Sequence, residues 1–244
     1  ITLADFSFAQ VGSDIVLTLD RTTETLVILQ GASQDSADWI ETFTFDNGDE
    51  LTLEQVRSLI LQAQSNGGMD LIDASDLDTG LPLIPGPGFD SVLMGSDTRV
   101  VFGKGDGIDR ITPPDTVGTA EIYFDDLTPA DAEVRITRLD GSDLTISFPE
   151  TGDQVILVGA RDRAELPALA FADGTIWTRD ALFAAAVEAQ VSDQDDLVFG
   201  TAQGDRIEAG LGDDDIRGAG GDDSYVFTRG DGRDIISDSA GSDT

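Results

Sequence analysis

Three aspartates near the end of the chain recur at intervals of nine residues. Asp205, Asp214 and Asp223 take the sixth place in the consecutive segments GTAQGDRIE, AGLGDDDIR and GAGGDDSYV. Glycines precede each aspartate, and a glycine-rich turn can adopt left-handed backbone conformations that leave its carbonyl oxygens pointing at an ion. Carboxylate and carbonyl oxygens are the ligands that hard divalent cations prefer. The spacing therefore predicts cation sites built from oxygen ligands.

The composition narrows the choice of cation and of function. The 244 residues include no cysteine and no histidine, which excludes disulfides, thiolate or imidazole metal sites, and Ser-His or Cys-His catalytic pairs. Calcium is the first candidate. The chain has 48 acidic and 14 basic residues and a net charge of -34, so we expect no nucleic-acid partner. No apolar run approaches about 18 residues, so we expect no transmembrane segment.

The sequence repeats itself after about half of its length. The segment FTFDNGDELTLEQVRSLILQAQ (43–64) resembles LAFADGTIWTRDALFAAAVEAQ (169–190), and the pattern VFxxGDGxDxI occurs at 101–111 and again at 226–236. The last residues, DSAGSDT, followed by the first, ITLADF, align without a gap with DTVGTAEIYFDDL (115–127). We expect a piece of a longer tandem array, with an arbitrary boundary as the alternative.

Each repeated half has a β-rich part with a helix and a part rich in glycine and aspartate. Segments such as SDIVLTL, LTISF and QVILV are rich in apolar and β-branched residues and predict strands. Asn-Gly and Asp-Gly pairs predict hairpin turns. We expect helices near 53–64 and 179–190, with Thr52 and Thr178 at their N-caps.

The nine-residue segments resemble the G-G-x-G-x-D-x-U-x nonapeptide of the RTX (repeats-in-toxins) family of haemolysin-type calcium-binding proteins. The resemblance implies a parallel β-roll in which two nonapeptides form one coil, so that residues 18 apart face each other on successive coils. It implies calcium between Asp205 and Asp223 and between Asp196 and Asp214. The family commonly closes its roll with a segment like YVFTRGDGRDII (225–236), so Asp231 and Asp234 are expected to complete the last site against Asp214. The site residues that the resemblance implies in this block are Asp196, Gly200, Gly204, Asp205, Gly212, Asp214, Gly218, Gly221, Asp223, Asp231 and Asp234.

An earlier glycine-aspartate block departs from the pattern. GFDSVLMG (88–95) keeps part of one nonapeptide, with Asp90 at the aspartate place, but Arg99 stands nine residues later. We expect at most one good site there, from Asp90, Asp106 and Asp109, and a lost or remodelled counterpart of the Asp205–Asp223 site. Weaker candidates are Asp70, Asp73, Asp78 and Asp97.

The β-plus-helix segments resemble the haemolysin-type calcium-binding-related domain. The matching pattern is F-x-x-G-x-x-x-T-x-x-x-[LV], present as FDNGDELTLEQV and FADGTIWTRDAL. The expected fold is mainly β, with two tandem units, each a small β domain with one C-terminal helix followed by a glycine- and aspartate-rich parallel β-roll block. The expected domains are β-plus-helix at 1–66, a degenerate roll block at 67–111, β-plus-helix at 112–190 and a calcium-binding roll block at 191–244.

The resemblance implies a calcium-binding structural module of a large secreted protein. We expect it to leave a Gram-negative bacterium by type I secretion, to fold on extracellular calcium, and to form part of a rod-like adhesin, fibre or surface layer with adjacent copies of the repeat as partners. We expect no catalysis. The alternative is an accessory module of a secreted polysaccharide-acting enzyme or toxin, and contact of the β domains with a glycan or cell surface is a third possibility.

Simpler roles stand beside these expectations. The aspartates can be ordinary turn residues, although turns do not require a period of nine. Trp39 and Trp177 can form a sugar platform, but packing in or beside the core is favoured. Core packing is also favoured for Phe102, Phe227 and Tyr225.

Overall fold

The fold is mainly β, as the sequence predicts. The computed structural model describes residues 5–11, 14–19, 24–28, 42–65, 67–75, 82–136 and 142–244, and over these ranges the chain forms 21 strands and two α-helices. Parallel strands between Leu71 and Asp238 stack as a β-solenoid. No helix in the described ranges is both long and apolar enough to span a bilayer.

The N-terminal elements are a three-stranded antiparallel meander, a hairpin and a helix. They are β1 (Phe6–Val11), β2 (Asp14–Leu19), β3 (Glu24–Ile28), β4 (Thr42–Thr44), β5 (Glu50–Thr52) and α1 (Leu53–Gln64). The helix begins at the predicted N-cap Thr52 with a capping box, because the N–H of Gln55 donates to the Thr52 hydroxyl and the N–H of Thr52 donates to the Gln55 side chain. Val56 and Ile60 of α1 pack with Ile15 of β2 in a small core.

The first solenoid segment has two faces, each of three parallel strands. One face consists of β6 (Leu71–Asp73), β8 (Ser91–Leu93) and β10 (Ile108–Thr112), and the other of β7 (Pro82–Leu83), β9 (Arg99–Phe102) and β11 (Glu121–Phe124). Apolar side chains from both faces, such as Ile72, Val92 and Phe102, form the core between them. The helix α1 contacts β6 and β7, and therefore covers the first coil.

A second meander, hairpin and helix continue both faces. Their elements are β12 (Glu133–Ile136), β13 (Leu144–Phe148), β14 (Asp153–Leu157), β15 (Ala168–Phe171), β16 (Ile176–Trp177) and α2 (Arg179–Glu188). Strand β14 pairs in parallel with β10, and β15 pairs in parallel with β11. One core cluster consequently extends from Ile72 to Ala186. Because this core crosses residues 111 and 112, the arrangement in two tandem units and its domain boundaries stay predictions.

The C-terminal segment is a shorter solenoid. Its elements are β17 (Leu197–Phe199), β18 (Arg206–Ile207), β19 (Asp215–Ala219), β20 (Ser224–Tyr225) and β21 (Ile235–Asp238). Strands β17, β19 and β21 form one face, and β18 and β20 form the other. Val198, Ile207 and Ile216 pack with Val187 of α2, so this helix covers the first coil of the segment.

The aromatic residues divide between core and surface. Phe102 is fully buried, Tyr225 packs partly buried against the C-terminal core, and Trp177 packs beside Phe171. The expected burial of Phe227 is wrong, because its side chain is largely exposed on the last coil. Trp39 lies outside the described residues.

Candidate metal centre

A glycine and, two residues later, an aspartate recur along both solenoid segments. The pattern occurs at 68–70, 88–90, 107–109, 212–214, 221–223, 232–234 and 241–243. In the first segment, successive patterns lie on successive coils, as the isolated parallel bridges Gly68–Gly88 and Gly88–Gly107 demonstrate. In the C-terminal segment, the patterns at 212–214 and 232–234 lie on one face and those at 221–223 and 241–243 lie on the other. The candidate metal centre is the set of aspartates in this pattern, which we call the aspartate ladder.

The glycine of the pattern lets neighbouring coils approach closely. A Cβ atom on Gly232 would lie 1.9 Å from the carbonyl oxygen of Gly212, and one on Gly241 would lie 1.7 Å from that of Gly221. Gly232 and Gly241 also have φ values of 112° and 141°, which disfavour residues with a side chain. Glycine is therefore required where the carbonyl groups of adjacent coils stack.

Every ladder aspartate except Asp70, which lies on the first coil, reaches back to the coil before it. Its Oδ1 atom accepts a hydrogen bond from the backbone N–H of the preceding coil's aspartate. The bonds run from the N–H of Asp70 to Asp90 (2.9 Å), Asp90 to Asp109 (2.8 Å), Asp196 to Asp214 (2.9 Å), Asp205 to Asp223 (2.8 Å), Asp214 to Asp234 (3.1 Å) and Asp223 to Asp243 (3.1 Å). The structure thus brings together both aspartate pairs that the 18-residue spacing implies, and it places Asp234 against Asp214.

Three ladder aspartates keep one oxygen without a partner. The Oδ2 atoms of Asp90, Asp109 and Asp214 are buried and have no hydrogen-bond partner among the described residues. Leaving such a polar atom unsatisfied costs about 1–3 kcal/mol, and more when the group is charged. A bound cation would compensate this cost, and carboxylate oxygens suit calcium. The donor set and the orphaned atoms therefore fit the ion that the sequence suggests.

Burial shifts the protonation of these groups. It raises the pKa of Asp109 to about 7, with further contributions from the charges of Asp90, Asp106 and Asp153. Burial also raises the pKa of Asp223 to about 6 and the pKa of Asp214 above its ordinary value. The dominant cause is desolvation of the charged form, which a bound cation would offset.

Other predicted aspartates close turns within their own coil. The side chain of Asp205 accepts the N–H of Thr201 (2.6 Å), that of Asp106 accepts the N–H of Gly103 (2.7 Å), and that of Asp231 accepts the Thr228 hydroxyl (2.8 Å). The carboxylate of Asp196 likewise accepts the Ser192 hydroxyl. These contacts are ordinary turn chemistry, and a role of these four carboxylates as metal ligands stays a prediction.

The remaining predicted glycines line the contacts between coils. A Cβ on Gly200 would lie 2.6 Å from the carbonyl oxygen of Gly218, and one on Gly204 would lie 2.7 Å from that of Asp222. A Cβ on Gly218 would overlap with the Tyr225 hydroxyl and with the carboxylates of Asp223 and Asp238. Gly218 therefore leaves room for an acidic cluster at the open end of the segment.

Sequence reasoning missed part of that cluster. Carboxylate oxygens of Asp223, Asp238 and Asp243 lie within 4.8 Å of one another, and Asp238 accepts the Tyr225 hydroxyl. Asp243 stands nine residues after Asp234, so continuing the count of nine from Asp234 would have found it. The alignment of 238–244 with 115–121 gives Asp238 the counterpart Asp115, which forms an ion pair with Arg163 instead of joining an acidic cluster.

The first segment also contains a residue that the pattern does not predict. Asp153 accepts the N–H of Gly107 through Oδ1 (2.8 Å) and the N–H of Gly105 through Oδ2 (3.0 Å). It follows Gly152 at the start of β14, outside any nonapeptide. Its position beside the solenoid depends on the pairing of β14 with β10, and no local sequence pattern predicts that pairing.

Around Arg99, where the first block departs from the nonapeptide pattern, other contacts replace those of the aspartates. Arg99 forms an ion pair with Glu121 on the next coil (2.9 Å) and lies over the ring of Tyr123. The Thr98 hydroxyl accepts the N–H of Gly95, three residues earlier, whereas Asp205 accepts the N–H of Thr201, four residues earlier, in the C-terminal segment. These contacts occupy the place of the Asp205–Asp223 pair.

The weaker candidates have separate structural roles. Asp70 donates its N–H to Asp90, Asp73 accepts the hydroxyl of Ser75, and Asp97 accepts the hydroxyl of Thr119 on the next coil. Asp78 lies outside the described residues.

No protein-family model and no curated protein matches the chain. The stacked parallel strands form a β-solenoid, which is compatible with a β-roll repeat. Membership of the RTX family therefore stays a proposal that rests on the nonapeptides and on this architecture.

Proposed function

We propose that the chain is a calcium-binding structural module whose stacked coils are stabilised when calcium binds to the aspartate ladder. The observation that carries the proposal is the row of buried Oδ2 atoms on Asp90, Asp109 and Asp214, which have no hydrogen-bond partner in the described part of the chain. With 48 acidic residues and only 14 basic ones, the chain has few cations of its own to compensate them. Calcium would supply positive charge at this position, and its binding free energy would become folding free energy.

The residues expected to hold calcium are the ladder aspartates with the carbonyl oxygens of the glycine turns between coils. Sites of this kind in extracellular modules bind calcium with dissociation constants of about 10⁻⁴ to 10⁻³ M. Such sites would stay empty at cytosolic calcium concentrations and fill outside the cell. We therefore propose a secreted or surface location, in line with the resemblance to RTX proteins.

The proposed role is mechanical rather than catalytic. Parallel coils that share hydrogen bonds along one direction form an elongated object, and each coil contacts only its neighbours. Bridging of adjacent coils by calcium would stiffen it. The module would thus serve as a segment of an adhesin, fibre or surface layer, exported by type I secretion.

A calcium titration monitored by circular dichroism tests the proposal. Metal-free chain is titrated with calcium, and a parallel titration uses magnesium, which binds poorly to flexible sites without its preferred octahedral geometry. We expect a cooperative gain of β signal near millimolar calcium and little response to magnesium. A signal that is complete in chelator and unchanged by calcium would refute the proposal.

A further inference from the structure

The two occurrences of VFxxGDGxDxI differ sharply in their surroundings. Phe102 and Ile111 of the first occurrence are both 0% exposed, whereas their counterparts Phe227 and Ile236 are 62% and 48% exposed. The difference lies in what covers the coil. Strand β11 lies beside β9, which contains Phe102, and strand β14 lies beside β10, which contains Ile111. Among the described residues, β21 is the edge strand of its sheet.

The first meander of the chain has the same register as the meander that covers β10. In β13 and β14, Leu144 is opposite Leu157 and Ile146 is opposite Val155. In β2 and β3, Ile15 is opposite Ile28 and Leu17 is opposite Leu26. Each of these four residues of β2 and β3 has a residue number that is 129 lower than that of its counterpart in β13 and β14. Strand β3 is therefore the counterpart of β14.

The outer edge of β3 has no strand beside it in the described part of the chain. Leu26 is 51% exposed, whereas its counterpart Val155 is 0% exposed in the core beneath β10. Both strands also begin with an acidic residue, which is Asp153 in β14 and Glu24 in β3. An apolar strand edge that is open in this way is a template for pairing with another strand.

An apolar cleft lies beside this edge. It has a volume of about 260 Å³ and is lined mainly by the apolar residues Phe6, Leu17, Leu26, Phe43 and Phe45, together with Thr44 and Asp46. The counterparts of Leu17 and Phe45 in the second meander and hairpin are Ile146 and Phe171, which are buried in the same cluster as Phe102 and Ile111. The cleft thus corresponds to part of the core cluster that contains Phe102 and Ile111.

The last coil also has unused hydrogen-bond donors. In the first segment, the N–H groups of Gly105 and Gly107 donate to Asp153 of β14. Their counterparts, Gly230 and Gly232, have no acceptor among the described residues for these N–H groups. The last coil therefore lacks the hydrogen bonds that a β14-like strand would provide.

We propose that the last coil of one chain docks on the first meander of a second copy, with β21 of one chain pairing in parallel with β3 of the next. This reproduces between copies the pairing of β10 with β14 within the chain. Phe227 and Ile236 enter the cleft, and the internal register sets Ile235 opposite Val27 and Ile236 opposite Ile28. The contact is head-to-tail, and contacts of this kind propagate into a filament when their rotation does not close a ring. The inference deepens the proposed rod-like role and rests on it.

Sedimentation velocity of the full chain in millimolar calcium and physiological salt tests the inference. The wild-type chain is expected to form oligomers that lengthen with concentration. Ile236→Asp and Leu26→Asp each place a charge in the contact and are expected to weaken association on the order of 100-fold. An equimolar mixture of the two variants is expected to form 1:1 dimers and nothing longer, because each variant keeps one intact end.

A cross-link checks the register independently of charge effects. The chain has no cysteine, so Val27→Cys combined with Ile235→Cys introduces the only thiols. Oxidation is expected to give a ladder of cross-linked oligomers, whereas the control pair Val27→Cys with Ser237→Cys is displaced by two residues and cannot form the bond. Wild-type chain that stays monomeric at all concentrations, or mixed variants that stay monomeric while wild type associates, would overturn the inference.

Calcium titrations of the same variants separate the two proposals. We expect Ile236→Asp and Leu26→Asp to keep the calcium response and to lose association. This result would mean that the substitutions disrupt the contact between copies and not the calcium sites. Association without any calcium response in wild-type chain would overturn the proposed function and leave the docking inference standing.

Discussion

Asp214 joins two coils with one carboxylate oxygen and leaves the other oxygen unpaired. Its Oδ1 atom lies 2.9 Å from the backbone nitrogen of Asp196, and its Oδ2 atom is buried without a hydrogen-bond partner among the described residues. A residue that serves only its own turn would bond within its own coil, as Asp205 does with Thr201. The bond between coils explains why aspartate recurs with the period of the coil, and the free oxygen identifies the position expected to bind the cation.

Asp214→Asn should weaken calcium binding and stabilise the metal-free chain. Asparagine keeps an oxygen that can accept the Asp196 N–H but removes the charge that calcium requires and that burial penalises. We expect the calcium midpoint to rise about tenfold or more and the thermal midpoint in chelator to rise. Calorimetric titration and thermal unfolding measure the two effects.

Asp215→Asn is the matched control for that variant. Asp215 is the next residue, and its side chain forms a surface ion pair with Arg217 at 3.1 Å. Exposed pairs contribute about 0–1 kcal/mol, so both midpoints should stay close to those of the wild type. Equal shifts of the midpoints in Asp214→Asn and Asp215→Asn would mean that calcium binding depends on the net charge of the chain and not on the aspartate ladder.

The metal-free chain should lose stability as the pH rises. Burial raises the pKa of Asp109 to about 7 and that of Asp223 to about 6 in the folded chain, whereas an unfolded aspartate titrates near 3.9. The folded state therefore binds more protons between these values, and stability falls from about pH 4 to about pH 7. Thermal unfolding of metal-free protein across this window measures it. A midpoint that rises with pH in the absence of calcium would contradict the expectation.

Substitutions of two glycines with the same φ angle distinguish the cost of backbone strain from the cost of a steric clash between coils. Gly230 and Gly232 both have φ of 112°, but a Cβ on Gly230 meets nothing within 4 Å, whereas one on Gly232 meets the carbonyl oxygen of Gly212 at 1.9 Å. Gly230→Ala should cost about 1–2 kcal/mol from its left-handed backbone. Gly232→Ala should cost more and should expose the amides of the last coil to hydrogen exchange. Equal exchange in both variants would mean that the coils do not pack as described.

Asp153→Ala should destabilise the first solenoid segment. The substitution removes the acceptor of the Gly105 and Gly107 N–H groups, and hydrogen bonds to charged groups contribute about 1.5–3 kcal/mol each. Denaturant unfolding in saturating calcium should therefore show a loss of about 2–4 kcal/mol. Glu150→Ala, in the preceding exposed turn, should leave the midpoint unchanged. A comparable loss in both variants would contradict the role of Asp153.

The sequence predicts the features that depend on local period. The nine-residue interval locates Asp214 and Asp223 because each coil repeats the same turn, and the capping box at Thr52 depends on residues only three apart. Pairings between distant segments could not be predicted in this way. Asp153 reaches the ladder only because β14 pairs with β10, and Phe227 is exposed because no strand in the described part of the chain covers the last coil, although its local sequence matches that around Phe102.

Location of bound ions in the crystal is the most direct test of the aspartate ladder. Crystals grown in millimolar calcium would be measured for anomalous scattering, which identifies the ion without reference to protein density. We expect calcium at about 2.3–2.6 Å from the Oδ2 atoms of Asp90, Asp109 or Asp214. A calcium-grown crystal in which these oxygens bind only water or protein donors would contradict this expectation.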